Sequence, residues 1–298
     1  MAVFRSLKQC FQLRLWLLLP ILLCLGAAES LQIHQGESLL LNVHAGGIEP
    51  VAIRGSDGSF RELPIDEQTE AIDKIVASYF MPGQAYGLFR NGQALGQLKV
   101  TKYSRSDCSG FGFVGSTLDP AVPTEDLFTR FVAFTPGFPG QRTYAGAGAA
   151  DATLKQQALD LSRSYYAAKG LRPDQISRMQ LDDLQALKLN QGKTPGLMVS
   201  SRIGAPAQSE TGCNTHHLLL VAELTGQGYV PRLELFKKAT QAEGECSGHT
   251  FVSSFQAEPD SEYLLVEGWG WEWNWYEIYQ RKTDGTYGQV FNGGGGGC

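Results

Sequence analysis

The chain has 298 residues, with 25 Lys plus Arg against 30 Asp plus Glu and a formal net charge of −5. A moderately acidic chain without a basic cluster argues against nucleic acid and anionic lipid as partners. Its hydrophobic content of 43% is ordinary for a globular protein, and its length can bury one large core or two modest ones.

The N-terminus has the order of a secretory signal peptide. Three basic residues and no acidic residue precede an apolar run at 15–25, and Gly26-Ala27-Ala28 follows this run. This order predicts a signal peptide over residues 1–28 that is cleaved after Ala28. The apolar run is shorter than the roughly 20 residues of a membrane span, and an uncleaved anchor is the alternative. We therefore expect a secreted or periplasmic protein with no stable membrane span after cleavage.

Residues 29–145 are predicted to form a small α+β domain. Short strand-like runs occur at Ser38–Val43 and Val51–Arg54, and Pro64 introduces an amphipathic helical pattern. Asn91-Gly92 lies between two β-type runs, and this dipeptide is the preferred loop of a two-residue hairpin.

Residues 146–182 are predicted to be a helical connection. Asp151 can cap a helix that ends near Gly170, because a short acceptor side chain suits the first position and glycine suits the end. Pro173 suits the start of a second, shorter helix.

Residues 183–298 are predicted to be an antiparallel β-repeat domain with a Gly-rich tail. Three phrases resemble each other, namely LKLNQGKTPGLMV, THHLLLVAEL and AEPDSEYLLVEG, and the last two are each followed by a hairpin return. Repeats of strands at this spacing indicate blades or stacked sheets. The fold class expected for the whole chain is therefore α+β to mainly β, with a partial, blade-like unit at the C-terminus.

A resemblance to a known group is visible in this last part. A strand ending in Glu267-Gly-Trp-Gly, a Tyr276-x-Ile-Tyr-x-Arg return strand and a glycine run before Cys298 resemble a group of uncharacterised exported bacterial proteins. Their repeats are similar to the FG-GAP or VCBS type of integrin-like propellers, whose loops usually read Asp-x-Asp-Gly-Asp-Gly and bind calcium. The loops here read Leu189–Gly192 and Ala257–Asp260 and lack this arrangement of carboxylates, so no cofactor is expected.

The cysteines of the mature chain predict two disulfides. An exported protein with an even number of cysteines usually oxidises them, and three connectivities are possible for four. We favour pairing of Cys213 with Cys246 and of Cys108 with Cys298. The glycine run would act as a flexible linker that lets the last residue reach a distant partner. The alternative is a zinc site, because two Cys-x-x-His pairs supply ligands of the correct type. Those ligands are Cys213, His216, Cys246 and His249.

The tryptophans near the C-terminus are the candidate contact surface. Trp269, Trp271, Trp273 and Trp275 occupy every second position, and they would share one face if the strand were continuous. A flat aromatic surface stacks on sugar rings or on a protein partner. The alternative is a hairpin turn inside the run, which would divide the tryptophans between a packed face and a loop tip.

Glu267 and Glu272 are interleaved with these tryptophans. Two carboxylates are the machinery of glycoside hydrolysis, so a secreted glycoside hydrolase is the alternative function. No nucleophile or phosphate-binding motif accompanies them. The sequence therefore favours a non-catalytic binding or structural protein outside the cytoplasm, with an unknown carbohydrate or protein as its partner.

Overall fold

The computed structural model describes residues 37–44, 47–63, 77, 79–103, 114–119, 130–135, 147–204, 215–238, 247–258, 260–270 and 273–297. The chain divides into two compact units, residues 1–32 and 33–298. The predicted signal peptide and the helical pattern at 64–76 lie outside the described residues, and everything below concerns the second unit.

The first sheet contains seven antiparallel strands in the order β3-β2-β1-β7-β4-β5-β6. The strands are β1 (Ser38–His44), β2 (Gly47–Arg54), β3 (Phe60–Arg61), β4 (Ala85–Arg90), β5 (Gln93–Tyr103), β6 (Val114–Asp119) and β7 (Phe131–Phe134). The predicted hairpin is confirmed, because Arg90 pairs with Gln93 and both loop residues have positive φ, 48° at Asn91 and 78° at Gly92.

The second and third sheets are each a meander of four antiparallel strands that are consecutive in sequence. The second sheet contains β8 (Gln180–Leu189), β9 (Thr194–Ile203), β10 (His216–Thr225) and β11 (Gly228–Lys237). The third contains β12 (Gly248–Glu258), β13 (Ser261–Trp269), β14 (Trp273–Arg281) and β15 (Tyr287–Gly297). The protein is therefore mainly β, as expected.

Two helices precede the second sheet, α1 (Ala152–Ala168) and α2 (Pro173–Ile176). Asp151 caps α1 as predicted, because its carboxylate accepts the Leu154 amide at 2.7 Å. The buried face of α1 contains Ala158 and Tyr166 and packs on the outer face of the second sheet. Among the helices that the structure describes, none has the length and apolar content of a membrane span.

Three apolar clusters stack these elements into layers. The first and third sheets share a core that includes Leu40 and Phe134 from one and Phe255 and Leu265 from the other. The second and third sheets share another core, and the outer face of the second sheet packs on α1. The order of layers is first sheet, third sheet, second sheet, helix, so the third sheet is covered on both faces.

Alternation along β13 shows how one strand serves both cores. Tyr263 and Leu265 belong to the core with the first sheet, whereas Leu264 and Val266 belong to the core with the second. Successive residues of a strand point to opposite faces. A strand buried on both faces must therefore be a continuous apolar run, and Tyr-Leu-Leu-Val is such a run.

The two similar phrases THHLLLVAEL and AEPDSEYLLVEG lead into different positions of their sheets. The first phrase supplies β10, the third strand of its meander, and the second supplies β13, the second strand of its meander. Both strands are interior to their sheets and buried on both faces. This shared environment gives a physical reason for the shared Leu-Leu-Val sequence.

The glycine run is not a flexible tail, so that part of the sequence interpretation was wrong. Gly293 and Gly296 pair with Tyr276 and Asn274 of β14, and Gly294 and Gly295 form a bulge opposite Trp275. Glycine is required here because neighbouring atoms occupy the side-chain space. A Cβ at Gly294 would lie 2.7 Å from the Val51 carbonyl oxygen of the first sheet.

This close approach predicts a large effect of Gly294→Ala. The variant combines a positive φ of 66° with a contact against backbone that cannot rotate away. We expect a loss of roughly 2–4 kcal/mol in the free energy of unfolding, measured by urea denaturation. Gly228→Ala is the matched control, because Gly228 also has positive φ and nothing lies within 4 Å of its Cβ position. Equal losses in the two variants would contradict the steric explanation.

Candidate functional site

The turn between β13 and β14 falls inside the tryptophan run. β13 ends at Trp269 and β14 begins at Trp273, so the tryptophans belong to two antiparallel strands and do not form one continuous row. Trp271 and Glu272 lie outside the described residues. We use the name tryptophan cluster for Trp269, Trp273 and Trp275.

Each member of the tryptophan cluster lies over a glycine. A Cβ at Gly248 would come within 2.5 Å of the Trp269 ring, and one at Gly270 within 2.5 Å of Trp273 Nε1. A Cβ at Gly268 would overlap the ring of Trp275. Gly268 is the antiparallel neighbour of Trp275, and side chains of paired residues point to the same face of the sheet. The alternation of glycine and tryptophan in the sequence is the signal for this arrangement, which sequence reasoning missed.

Trp273 and Trp275 stack on each other at the tip of the hairpin. Their ring centroids are 4.4 Å apart and the ring planes differ by 25°. Trp273 is 50% exposed, whereas Trp275 and Trp269 are half-buried. Within the described part of the chain, the exposed large hydrophobic side chains are Met81, Leu224, Trp273 and Val290, so Trp273 is the one aromatic residue among them.

Glu277 binds Trp275 of the Trp273–Trp275 stack on its buried side. The Trp275 indole N–H donates to its carboxylate at 2.7 Å, the Tyr279 hydroxyl donates to the other oxygen, and the His249 imidazole lies 3.7 Å away. Burial alone raises the pKa of Glu277, but the contacts from His249, Tyr279 and Trp275 outweigh it and lower the pKa to about 2. The carboxylate is therefore ionised at neutral pH and fixes the orientation of Trp275.

The second sheet contributes two further contacts that the sequence did not suggest. His217 meets the Trp269 ring edge-on at 4.9 Å, and the Lys237 ammonium lies 5.9 Å from the centre of the Trp275 ring. Burial, followed by the positive charge of Arg202, lowers the pKa of His217 to about 4. His217 is therefore a neutral side chain beside the cluster at physiological pH.

Glu267 lies on the other face of the third sheet. It pairs with Tyr276, whose side chain belongs to the core with the first sheet. Its carboxylate accepts the Asn274 side-chain amide at 3.2 Å and lies 3.3 Å from the Arg130 guanidinium. The structure thus separates Glu267 from Trp275, and it places Glu267 in a partly buried ion pair.

The cysteines Cys108, Cys213, Cys246 and Cys298 lie outside the described residues, so neither disulfide is described. His216 stacks on Phe236 at 6.2 Å on the helix-covered face of the second sheet. His249 instead lies between the second and third sheets, beside Glu277. The two histidines of the zinc alternative therefore point to different layers. No group of three metal-ligating side chains occurs within the described ranges.

The chain was compared with protein-family models, curated proteins and solved structures, and no match was found in any of the three.

The low pKa of Glu277 predicts a specific dependence of stability on pH. The pKa is about 2 in the folded chain against a reference value of 4.5, so the stabilisation is fully present above about pH 4.5 and is lost as pH falls through 2. We expect Glu277→Gln to lose roughly 1–2 kcal/mol at pH 7 after solvent screening, and the difference from wild type to shrink towards pH 2.

Urea unfolding at pH 7, 4.5 and 2.5 measures this difference. Glu234→Gln is the control, because Glu234 is an exposed carboxylate of β11. The folded chain protonates His217 near pH 4, within this range, but it does so in every variant and therefore cancels from the difference between them. The same pH slope in Glu277→Gln and wild type would show that Glu277 carries no such stabilisation.

Proposed function

We propose that this chain is an exported, non-catalytic binding protein that contacts its ligand with the tryptophan cluster. The observation that carries the proposal is the exposed Trp273, held in stacking contact with Trp275. The indole face of Trp273 that is turned away from Trp275 is the contact surface. Ligand binding covers this face and removes it from water.

An exposed tryptophan has an energetic cost that ligand binding explains. A tryptophan can bury about 200 Å², so leaving half of it in water forgoes roughly 2–3 kcal/mol of stabilisation. Stacking on Trp275, whose indole N–H is bonded to the ionised Glu277, restricts the rotation of this side chain. Such rigidity lowers the entropy lost when a ligand binds.

A carbohydrate is the ligand class that we favour. One flat indole face matches the size of one sugar ring, whose axial C–H groups pack on the aromatic surface while its hydroxyls stay in water. The Lys237 ammonium lies 5.9 Å from the centre of the adjoining Trp275 ring, and Glu277 is buried beneath Trp275. A protein partner is the competing class, and the experiment below separates the two.

We extend the proposal to the cellular location and the finer architecture of the chain. The leader at 1–28 directs export, and Cys108, Cys213, Cys246 and Cys298 form two disulfides outside the cytoplasm. The two C-terminal meanders represent a repeated, blade-like unit behind an N-terminal α+β unit and a helical connection. Two successive four-stranded meanders support this view.

Titration of the mature protein with polysaccharide and cell-wall fragments tests the proposed function. All four tryptophans of the mature chain lie between 269 and 275, so intrinsic fluorescence reports directly on the cluster. We expect a saturable change with one class of glycan and at least a tenfold weaker affinity in Trp273→Ala, because central aromatic contacts carry more than about 1 kcal/mol.

Val290→Ala is the matched control, since Val290 is 43% exposed and lies on a different strand from the cluster. Its affinity should equal that of wild type, and thermal unfolding should be similar in both variants. If glycans leave the emission unchanged, or Trp273→Ala binds them as wild type does, the carbohydrate proposal fails. Turnover of a glycan that is abolished by Glu267→Gln would instead establish the hydrolase alternative.

A further inference from the structure

A polar cavity of about 390 Å³ lies at the other end of the third sheet from the tryptophan cluster. Its walls come from the β8–β9, β12–β13 and β14–β15 turns and from the strands beside them, and every lining residue is polar or glycine. Glu262 lines the cavity and Trp269 ends the same strand, so roughly 23 Å separate the two places. An entirely polar wall suits a ligand that is polar over its whole surface.

Opposite charges nearly cancel around the cavity. Arg281 and Arg232 both donate to Glu223, which is 4% exposed, at 2.9 and 3.1 Å. Together with Lys282 they give three positive charges, against four carboxylates. Those carboxylates are Glu223, Asp260, Glu262 and Asp284. An ionic ligand of either sign would therefore meet like charges as well as opposite ones.

Hydrogen-bond donors without a partner face the cavity. The terminal nitrogens of Arg232 bond no described residue, and they are not among the side-chain atoms that are sealed from solvent. The ammonium of the exposed Lys282 likewise bonds no described residue. These two side chains offer N–H groups to a molecule in the cavity.

Acceptors without a partner line the same space. One oxygen of Asp284 accepts the Thr286 amide at 2.8 Å and the Thr286 hydroxyl at 2.6 Å, and its second oxygen bonds no described residue. The exposed carboxylate of Asp260 also accepts no hydrogen bond from the described part of the chain. Unused donors and unused acceptors thus occur together in one small volume.

Contacts within the protein fix several of these side chains. Glu223 holds the Nε of Arg232, and the turn around Thr286 holds Asp284. Glu262 accepts the Gln191 amide at 2.7 Å and also binds the Tyr287 hydroxyl. Groups that are already ordered lose little side-chain entropy when a ligand binds.

Gly285 forms the part of the wall beside the guanidiniums. Its φ is 83°, and a Cβ at this position would lie 3.1 Å from Arg281 Nη2 and 3.4 Å from Arg232 Cζ. The absence of a side chain leaves the Arg232 guanidinium accessible from the cavity.

We propose that this cavity binds one neutral sugar unit through its hydroxyl groups. A hydroxyl donates one hydrogen bond and accepts others, so neighbouring hydroxyls use the N–H groups of Arg232 and Lys282 and the oxygens of Asp284 and Asp260. Hydrogen bonds to charged groups contribute about 1.5–3 kcal/mol each, and a neutral ligand brings no charge that the mixed wall repels. The volume is near the lower limit of small-molecule sites, which suits a monosaccharide.

This second site does not depend on sugar binding by the tryptophan cluster. Isothermal titration with glucose, galactose and N-acetylglucosamine tests it, in the mature protein and in Trp273→Ala, which removes the proposed cluster contact. We expect saturable binding of at least one sugar with the same affinity in both proteins. The affinity should also be equal at low and high salt, because salt does not screen the contacts of a neutral ligand.

Two variants examine the donors and the acceptors separately. Asp284→Asn should weaken sugar binding about tenfold, because the unused acceptor oxygen becomes an amide donor, and Lys282→Met should weaken it severalfold by removing a donor. Asp57→Asn is the matched control, since Asp57 accepts the Ser59 amide at 3.0 Å and its hydroxyl at 2.7 Å in a similar turn but does not line the cavity. It should bind sugar as wild type does.

The directions of these effects distinguish the classes of ligand. A sugar loses affinity in both variants, whereas an anion such as inorganic phosphate would gain affinity in Asp284→Asn and a cation such as putrescine would gain it in Lys282→Met. The proposal is overturned if none of the three sugars binds, if sugar binding is lost in Trp273→Ala, or if either variant binds sugar at least as tightly as wild type.

A steric pair completes the test. Gly285→Ala should weaken sugar binding at least tenfold, whereas Gly170→Ala should preserve it. Both glycines have a φ of 83°, so the backbone strain is matched, and nothing lies within 4 Å of the Cβ position at Gly170. Equal affinities in these two variants would also contradict the proposal, provided that thermal unfolding shows both to be folded.

Discussion

The burial of the third sheet on both faces is the constraint on which the rest of the structure depends. An antiparallel sheet usually has one face towards water, and its strands then alternate apolar and polar residues. Here β13 and its neighbours carry apolar side chains on both faces, so each face requires a separate cover. The first sheet supplies one cover and the second sheet supplies the other.

Polar contacts fix how these layers are aligned. The hydroxyl of the buried Tyr276 accepts the Asn42 side-chain amide at 2.9 Å and donates to Glu49, which joins the third sheet to the first. The Asn91-Gly92 loop reaches the edge of β12, where its two amides bond the Ser253 hydroxyl and the Ser254 carbonyl. Because hydrogen bonds require defined geometry, these contacts select one alignment from the many that apolar packing alone would allow.

The sequence predicted local features with a strong physical signal. Asn91-Gly92 and the Asp151 cap depend on backbone conformations or hydrogen bonds within a few residues, and both were recognisable. The glycine run was misread, because its role depends on Val51 and Asn274, which are distant along the chain. The same reason hid the contacts of Arg232 and Arg281 with Glu223, because these side chains meet only when the second and third sheets pack.

The order of the layers differs from the order of the sheets along the chain, and this difference affects how the protein folds. The first sheet is complete at residue 134, but the sheet that covers it ends at residue 297. Contacts between them join residues more than 200 positions apart, such as Asn42 with Tyr276. Topologies with such distant contacts fold slowly. At a synthesis rate of about 5–20 residues per second, the apolar face of the first sheet stays exposed for roughly ten to thirty seconds before the third sheet is synthesised.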